Sequence, residues 1–65
     1  MPGTAHVHVC YFLDTTEKVV DTCVRIGPYD EARSFCREHL HEQPSLTAAQ
    51  IWDDEGKVTW VEGND

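Results

Sequence analysis

Alternating apolar and polar side chains near the N-terminus predict a β-hairpin. Residues 6–13 (HVHVCYFL) and 18–26 (KVVDTCVRI) are rich in β-branched and aromatic residues, and the short polar stretch DTTE separates them. Two such stretches around a polar turn are typical of paired antiparallel strands. Gly27 and Pro28 end the second predicted strand.

The period of the pattern changes after Pro28, where the sequence predicts an amphipathic helix over residues 29 or 30 to about 42. One stripe of the predicted helix consists of Ala32, Phe35, Cys36, His39 and Leu40. Asp30 and Glu31 stand at its start, where the helix dipole favours acids, and Pro44 follows its end.

A second hairpin is predicted after the helix. TAAQIW and KVTWVE flank DDEG, whose glycine suits the left-handed position of a three-residue loop. The order β-β-α-β-β gives an α+β fold, a four-stranded antiparallel sheet with one helix packed on one face. The 65 residues leave room for a single small domain, 1–65, in which 1–5 and 63–65 are expected to be flexible.

The register of the first hairpin decides which side chains share a face. Pairing Leu13 with Lys18 predicts a helix-facing set made of Val7, Val9, Tyr11, Leu13, Val20, Thr22, Val24 and Ile26. The far face would carry His6, His8, Cys10 and Phe12, opposite Val19, Asp21, Cys23 and Arg25. A register slipped by one residue would exchange these two faces.

The second hairpin is apolar on both faces. Pairing Asp53 with Lys57 places Trp52, Val58 and Trp60 on one side and Ala49, Ile51 and Val61 on the other. One helix cannot cover both sides, so the surplus predicts an interaction surface for a second copy of the chain or another protein. We expect this surface to comprise Phe12, Val19, Trp52, Trp60, Asp53, Asp54 and Glu55.

The net charge of the chain indicates which classes of partner are favoured. Twelve acidic against five basic side chains give a net charge of -7, which opposes direct binding to nucleic acid and favours a basic protein surface or a second copy. The expected function is a small acidic inhibitor, adaptor or regulator of the kind that phages encode, acting as a homodimer. The alternative is a soluble domain without a ligand, whose charge serves solubility.

Other sequence features indicate the cellular compartment. No membrane span or secretory signal is recognisable, and three cysteines without a CxxC motif fit reduced thiols, so we expect a cytoplasmic protein.

The stretch HVHVC raises the question of a metal. Zinc accepts histidine and cysteine ligands, and one face of the first hairpin offers His6, His8, Cys10 and Cys23. Because no CxxC or HxxxH pair accompanies them, we favour solvated histidines and cysteines that pack as small hydrophobic side chains. No cofactor is therefore expected, with zinc kept as the alternative.

Catalysis is not expected either. Cys36 and His39 lie within the apolar stripe of the helix, whereas a reactive thiolate needs exposure and a positive neighbour. The three acids of DDEG lie in a turn, and the chain has no phosphate loop or nucleophile elbow. The sequence thus favours a binding protein over an enzyme.

The segment VRIGPYDEARSFCREHL resembles the strand-to-helix segment of SPOR domains, which bind peptidoglycan. The resemblance covers about a quarter of the chain and implies a strand that enters a helix at Gly-Pro-Tyr. Ala32 follows Tyr29 more closely than in that family, and we do not carry glycan binding over to this chain.

Overall fold

The computed structural model describes residues 6–62. The termini 1–5 and 63–65, for which flexibility is expected, lie outside the described residues. No helix among residues 6–62 has the length and apolar character needed to cross a bilayer.

Four strands and one helix follow one another in the order β-β-α-β-β, which confirms the predicted α+β fold. They are β1 (Val7–Asp14), β2 (Val19–Ile26), α1 (Tyr29–Glu42), β3 (Leu46–Trp52) and β4 (Val58–Glu62). The strands form one antiparallel sheet in the order β2-β1-β3-β4. β1 and β3 are therefore the central strands, and β2 and β4 are the edges.

The helix forms where the apolar stripe predicts it. Ala32, Cys36 and Leu40 are buried, while Phe35 and His39 are half-buried at the side of the stripe. Pro28 directly precedes the first helical turn, and the Gln43 N–H closes the last turn on the His39 carbonyl.

The helix packs on the opposite face of the sheet from the one predicted. Its buried stripe meets Cys10 and Phe12 of β1 together with Ala49, Ile51 and Val61 of β3 and β4. The predicted helix-facing set, from Val7 and Val9 to Val24 and Ile26, lies on the other side, where several of its members are exposed.

The physical reason is the position of β1 between two neighbours. Both faces of β1 carry apolar side chains, so β3 decides which face the helix can approach. On the helix side β3 presents Ala49 and Ile51, which allow close packing, and on the other side Trp52. Cys10 acts as a small hydrophobic residue in this core, as free cysteines commonly do.

The observed register of the first hairpin also differs from the prediction. Cys10 pairs with Cys23 and His8 with Arg25, and a bulge next to Phe12 and Leu13 leaves Leu13 paired with Val19 rather than Lys18. Over most of the hairpin the difference is two residues. A shift of two keeps every side chain on its face, so Val7, Val9 and Tyr11 do share a face with Thr22, Val24 and Ile26.

Both hairpins turn with the same geometry. In each loop an aspartate, Asp14 or Asp53, donates its backbone N–H to the carbonyl four residues later, at 3.0 Å in both cases. The third loop residue has a left-handed backbone, with φ of 86° at Gly56 and 65° at Glu17. The predicted DDEG turn is confirmed, and the first loop places a glutamate where the second has its glycine.

This difference predicts that Glu17→Gly stabilises the protein. The left-handed conformation strains a residue with a side chain, so the replacement is expected to raise the free energy of unfolding by about 0.5–1 kcal/mol, measured in urea by tryptophan fluorescence. The matched control is Gly56→Ala, which should cost about 1 kcal/mol through the backbone alone, since an added Cβ meets nothing within 4 Å. Equal stability of Glu17→Gly and the parent would contradict the assignment of strain.

The turn aspartates predict an acid-dependent stability. Hydrogen bonds from the Thr16 side chain and from backbone N–H groups lower the pKa of Asp14 below its ordinary value of 3.8, and backbone N–H groups of Lys57 and Glu55 do the same to the pKa of Asp53. A carboxyl whose pKa is lowered by folding adds stability above its unfolded pKa and loses it as the pH falls through the folded value.

The double variant Asp14→Asn, Asp53→Asn keeps an acceptor oxygen in each turn but cannot titrate. Between about pH 5 and about pH 2 it should lose less stability than the parent, as measured by urea unfolding at each pH. Asp54→Asn, in the same turn as Asp53, is the control and should follow the parent. A double variant that also follows the parent would show that these two turns do not contribute to the acid response.

Candidate interaction surface

The side of the sheet that faces away from the helix, called the open face below, is not covered by any helix or strand of residues 6–62. Paired residues of neighbouring strands run across it in rows. The rows are Ile26 and Val7; then Val24, Val9, Trp52 and Val58; then Thr22, Tyr11, Gln50 and Trp60; then Val19, Leu13, Ala48 and Glu62. Glu62 is the one charged residue in these rows.

Large apolar side chains of this face are exposed. Ile26 is 70% exposed, Trp60 is 55% exposed, and Val24 is 56% exposed. These residues lie on β2 and β4, so the exposed apolar area reaches both edges of the sheet. A single exposed apolar residue needs no explanation, but a continuous set that spans four strands is typical of an interaction site.

The centre of the open face is held by side-chain contacts. The rings of Tyr11 and Trp52 meet edge to face, with centroids 6.3 Å apart and planes at 87°. The Trp52 indole N–H also donates a hydrogen bond of 3.2 Å to the side-chain oxygen of Gln50. Trp52 thus lies in a defined position, which lowers the entropy that binding would cost.

The acidic residues lie away from the open face. Among the described residues they occupy the two hairpin turns and the helix, apart from Asp21 on the helix side of β2 and Glu62. The members at the turns and on the helix are Asp14, Glu17, Asp53, Asp54, Glu55, Asp30, Glu31, Glu38 and Glu42. Most of the described acids therefore lie outside the open face, which carries one charged residue, Glu62.

The residues predicted for the interaction surface divide into three groups. Trp52 and Trp60 lie on the open face with Val58, as the pattern indicates. Val19 pairs with Leu13 at the end of the open face and is 51% exposed.

Phe12 was wrongly predicted, because it is completely buried under the helix. Its ring centroid lies 4.4 Å from that of His39 and 6.4 Å from that of Phe35. The side chain is a core residue, and its place on the open face is taken by the neighbouring residue Tyr11.

The predicted acids Asp53, Asp54 and Glu55 lie in the β3–β4 turn, at one end of the sheet. One carboxylate oxygen of Asp53 accepts hydrogen bonds from the backbone N–H groups of Glu55 and Lys57, at 2.9 and 2.8 Å. This carboxylate has a structural function in the turn. The acids border the open face and do not belong to it.

The four candidate zinc ligands are distributed differently from the prediction. His8 and Cys10 are buried on the helix side, and Cys23 lies opposite Cys10 rather than opposite His8. His6 precedes β1 and is exposed. Within residues 6–62 no group of three or more histidine, cysteine or acidic side chains is arranged to hold a metal ion.

The sequence did not reveal that all three cysteines meet under the helix. Cys36 of the helix and Cys10 of β1 are fully buried in one core cluster, and Cys23 packs against it. A hydrogen bond between the two buried thiols lowers the pKa of Cys10 and, together with burial, raises the pKa of Cys36. The three thiols are free, so this cluster packs as part of the core.

A cleft of about 370 Å³ lies beside the start of the helix. It is lined by His8, Tyr29, Ile51, Asp53, Lys57 and Thr59. Because a carboxylate and an ammonium group both face it, the lining does not favour a ligand of either charge. The open face is the larger and more uniform surface, and it is the better candidate.

Searches with the sequence and with the fold found no family model, no curated protein and no solved structure that matches the chain. The functional interpretation therefore depends on the geometry and chemistry of the open face.

Proposed function

We propose that the protein is a small interaction module that forms a homodimer by stacking the open faces of two copies. The observation that carries this proposal is the composition of the face, whose rows span all four strands and contain one charged residue. Burial of such a surface is favourable in proportion to the apolar area removed from water.

The size of the open face is compatible with a specific contact. Four strands about 4.8 Å apart give a width of about 19 Å, and strands of 5 to 8 residues are roughly 16–26 Å long. The projected area is then about 400 Å² on each copy. The accessible area is larger, because Ile26 and Trp60 project from the face, and it approaches the lower limit of standard protein interfaces.

A second copy fits this surface better than a basic protein does. A basic partner would need several acids within the contact, whereas the open face carries one, Glu62. The other described acids lie at the turns and on the helix, apart from Asp21 on the helix side of β2. Two copies that stack would keep the turn acids at the rim and the helix acids on the outer sides of the dimer, and salt screens their repulsion over about 8 Å at physiological ionic strength. The homodimer should therefore tighten with added salt, whereas a complex with a basic protein should weaken.

The adaptor or inhibitor function on a basic partner is retained as the second candidate. Its support is the acidic rim, which would speed the encounter with a positively charged surface. No catalytic step and no metal enters either proposal. The three free thiols fit a reducing compartment, and we propose the cytoplasm as the location.

The proposed dimer predicts the effect of Trp60→Lys. Trp60 is more than half exposed, so its replacement should leave the fold intact, but a lysine would place an unpaired charge within the stacked faces. The mass of the assembly measured by light scattering should fall by half at a concentration at which the parent is associated. Far-ultraviolet circular dichroism should remain that of the parent.

The matched control is Ser34→Lys, which makes the same change of charge at an exposed position on the helix. This control should keep the mass of the parent. Because either substitution reduces the net negative charge, general repulsion cannot explain dissociation of Trp60→Lys alone. A parent that is monomeric at high protein concentration and high salt, or a Trp60→Lys variant that keeps the full mass, would refute the stacked dimer.

A further inference from the structure

The outer edge of β2 is a second surface of the sheet, and no strand among residues 6–62 pairs with it. β2 has eight residues, of which Cys23 is half-buried and the others are exposed. The helix packs mainly on β1, β3 and β4, so the edge strand extends past it. Natural sheets protect such edges with prolines, lysines, very short strands, bulges or inward-pointing charges. β2 has no proline or lysine and is eight residues long, its bulge lies at its start between Val19 and Asp21, and its charged residues, Asp21 and Arg25, have opposite signs.

The backbone of β2 shows which groups point outward. Gly27 donates its N–H to the His6 carbonyl at 2.9 Å, so Gly27 and every second residue before it face β1. Thr22 and Val24 then direct their N–H and C=O groups away from the sheet. In agreement with this, the Thr22 N–H donates to the side chain of the adjacent Asp21, at 2.9 Å, rather than to a strand.

We propose that β2 pairs antiparallel with β2 of a second copy around a two-fold axis at Cys23, giving a continuous eight-stranded sheet. In this register Thr22 and Val24 of the two copies exchange backbone hydrogen bonds. Cys23 lies opposite Cys23 of the second copy at a position without hydrogen bonds, where facing side chains are closest.

The charges of β2 select this register. With the axis at Cys23, Asp21 of each copy lies directly opposite Arg25 of the other, which makes two favourable cross-strand pairs. An axis at Asp21 or at Arg25 would place like charges opposite each other. Axes at Thr22 or Val24 would leave both charges without an opposite partner.

Both charged side chains can reach the second copy. In the single chain the Asp21 carboxylate is 54% exposed and lies 3.3 Å from the His39 ring nitrogen, and the Arg25 guanidinium lies over the Phe35 ring at 4.5 Å. On pairing, the Thr22 N–H passes from the Asp21 carboxylate to the Val24 carbonyl of the second copy. The carboxylate, released from this N–H, can then turn from His39 toward the facing guanidinium.

The edge contact is independent of the stacked contact. A two-fold axis perpendicular to the sheet keeps the open faces of both copies on the same side and doubles the area of that face. The two contacts can therefore coexist, and where their two-fold axes intersect they join four chains with dihedral symmetry.

Charge reversal tests the edge contact. Asp21→Arg and Arg25→Asp should each place like charges opposite one another twice, and should raise the dissociation constant of the edge contact about tenfold, measured by sedimentation. The double variant Asp21→Arg, Arg25→Asp restores opposite pairs and should recover the parent value. Failure of the double variant to recover, while circular dichroism shows a native fold, would overturn the proposed register.

Disulfide cross-linking at Cys23 tests whether the two-fold axis of the edge contact lies at this residue. In a Cys10→Ala background, which removes the thiol directly opposite Cys23 on β1 and leaves Cys36 buried, diamide should join two Cys23 side chains by accepting the two protons and two electrons that they release. The covalent dimer should form in Trp60→Lys as readily as in the parent, and should be absent in Cys23→Ser.

The outcomes separate the two contacts. An assembly that Trp60→Lys halves but that gives no Cys23 cross-link would retain the stacked dimer and refute the edge contact. A cross-linked dimer whose mass is unaffected by Trp60→Lys would retain the edge contact and refute the stacked dimer.

Discussion

A single helix of 14 residues can cover only one face of a four-stranded sheet, and most features of this protein depend on that limit. The stripe of Ala32, Cys36 and Leu40 fills the helix side together with Phe12 and Ile51. No helix or strand of residues 6–62 covers the other side. In a chain of this size the buried fraction of the surface is small, so stability is marginal for a lone domain. An assembly that buries the open face would add the missing apolar contact.

The helix side and the open face of the sheet differ in the size of the side chains that they carry. On the helix side small side chains such as Ala49 allow the helix to approach closely, and a layer of rings formed by Phe12, Phe35 and His39 closes the gap toward β2. On the open face the large Trp52 and Trp60 project outward. The small Ala49 and the large Trp52 and Trp60, on opposite sides of the second hairpin, thus separate the core of the domain from the open face.

The order of the elements and the positions of the turns could be predicted from the sequence, because both depend on local patterns. The Gly-Pro junction, the stripe from Ala32 to Leu40 and the DDEG turn each determine structure within a few residues. Which face meets the helix could not be predicted in this way. It depends on the pairing of β1 with β3, which lies about 40 residues later in the chain, and on Cys10 acting as a hydrophobic residue.

For the candidate surface, too, only the features that depend on local pattern could be predicted. The placement of Trp52 and Trp60 on one face follows from the predicted pairing of the second hairpin, whereas Phe12 is misplaced together with the face of β1. The exposed valines of β2 and the bare edge beside them became evident only from the strand order, which places β2 outside β1. A local sequence pattern predicts which strands pair in a hairpin, but it does not predict which strand forms the edge of the sheet.

The reactivity of the buried thiols reports local opening of the native structure. Cys36 belongs to the helix and Cys10 to the central strand, and both are fully buried against each other. Neither can meet a reagent dissolved in water unless the helix separates from the sheet, whereas Cys23 is partly accessible without any opening. Reaction of Cys10 or Cys36 therefore reports separation of the helix from the sheet, whereas reaction of Cys23 reports the accessibility of β2 in the closed structure. The rates for the buried pair measure local opening in the native state.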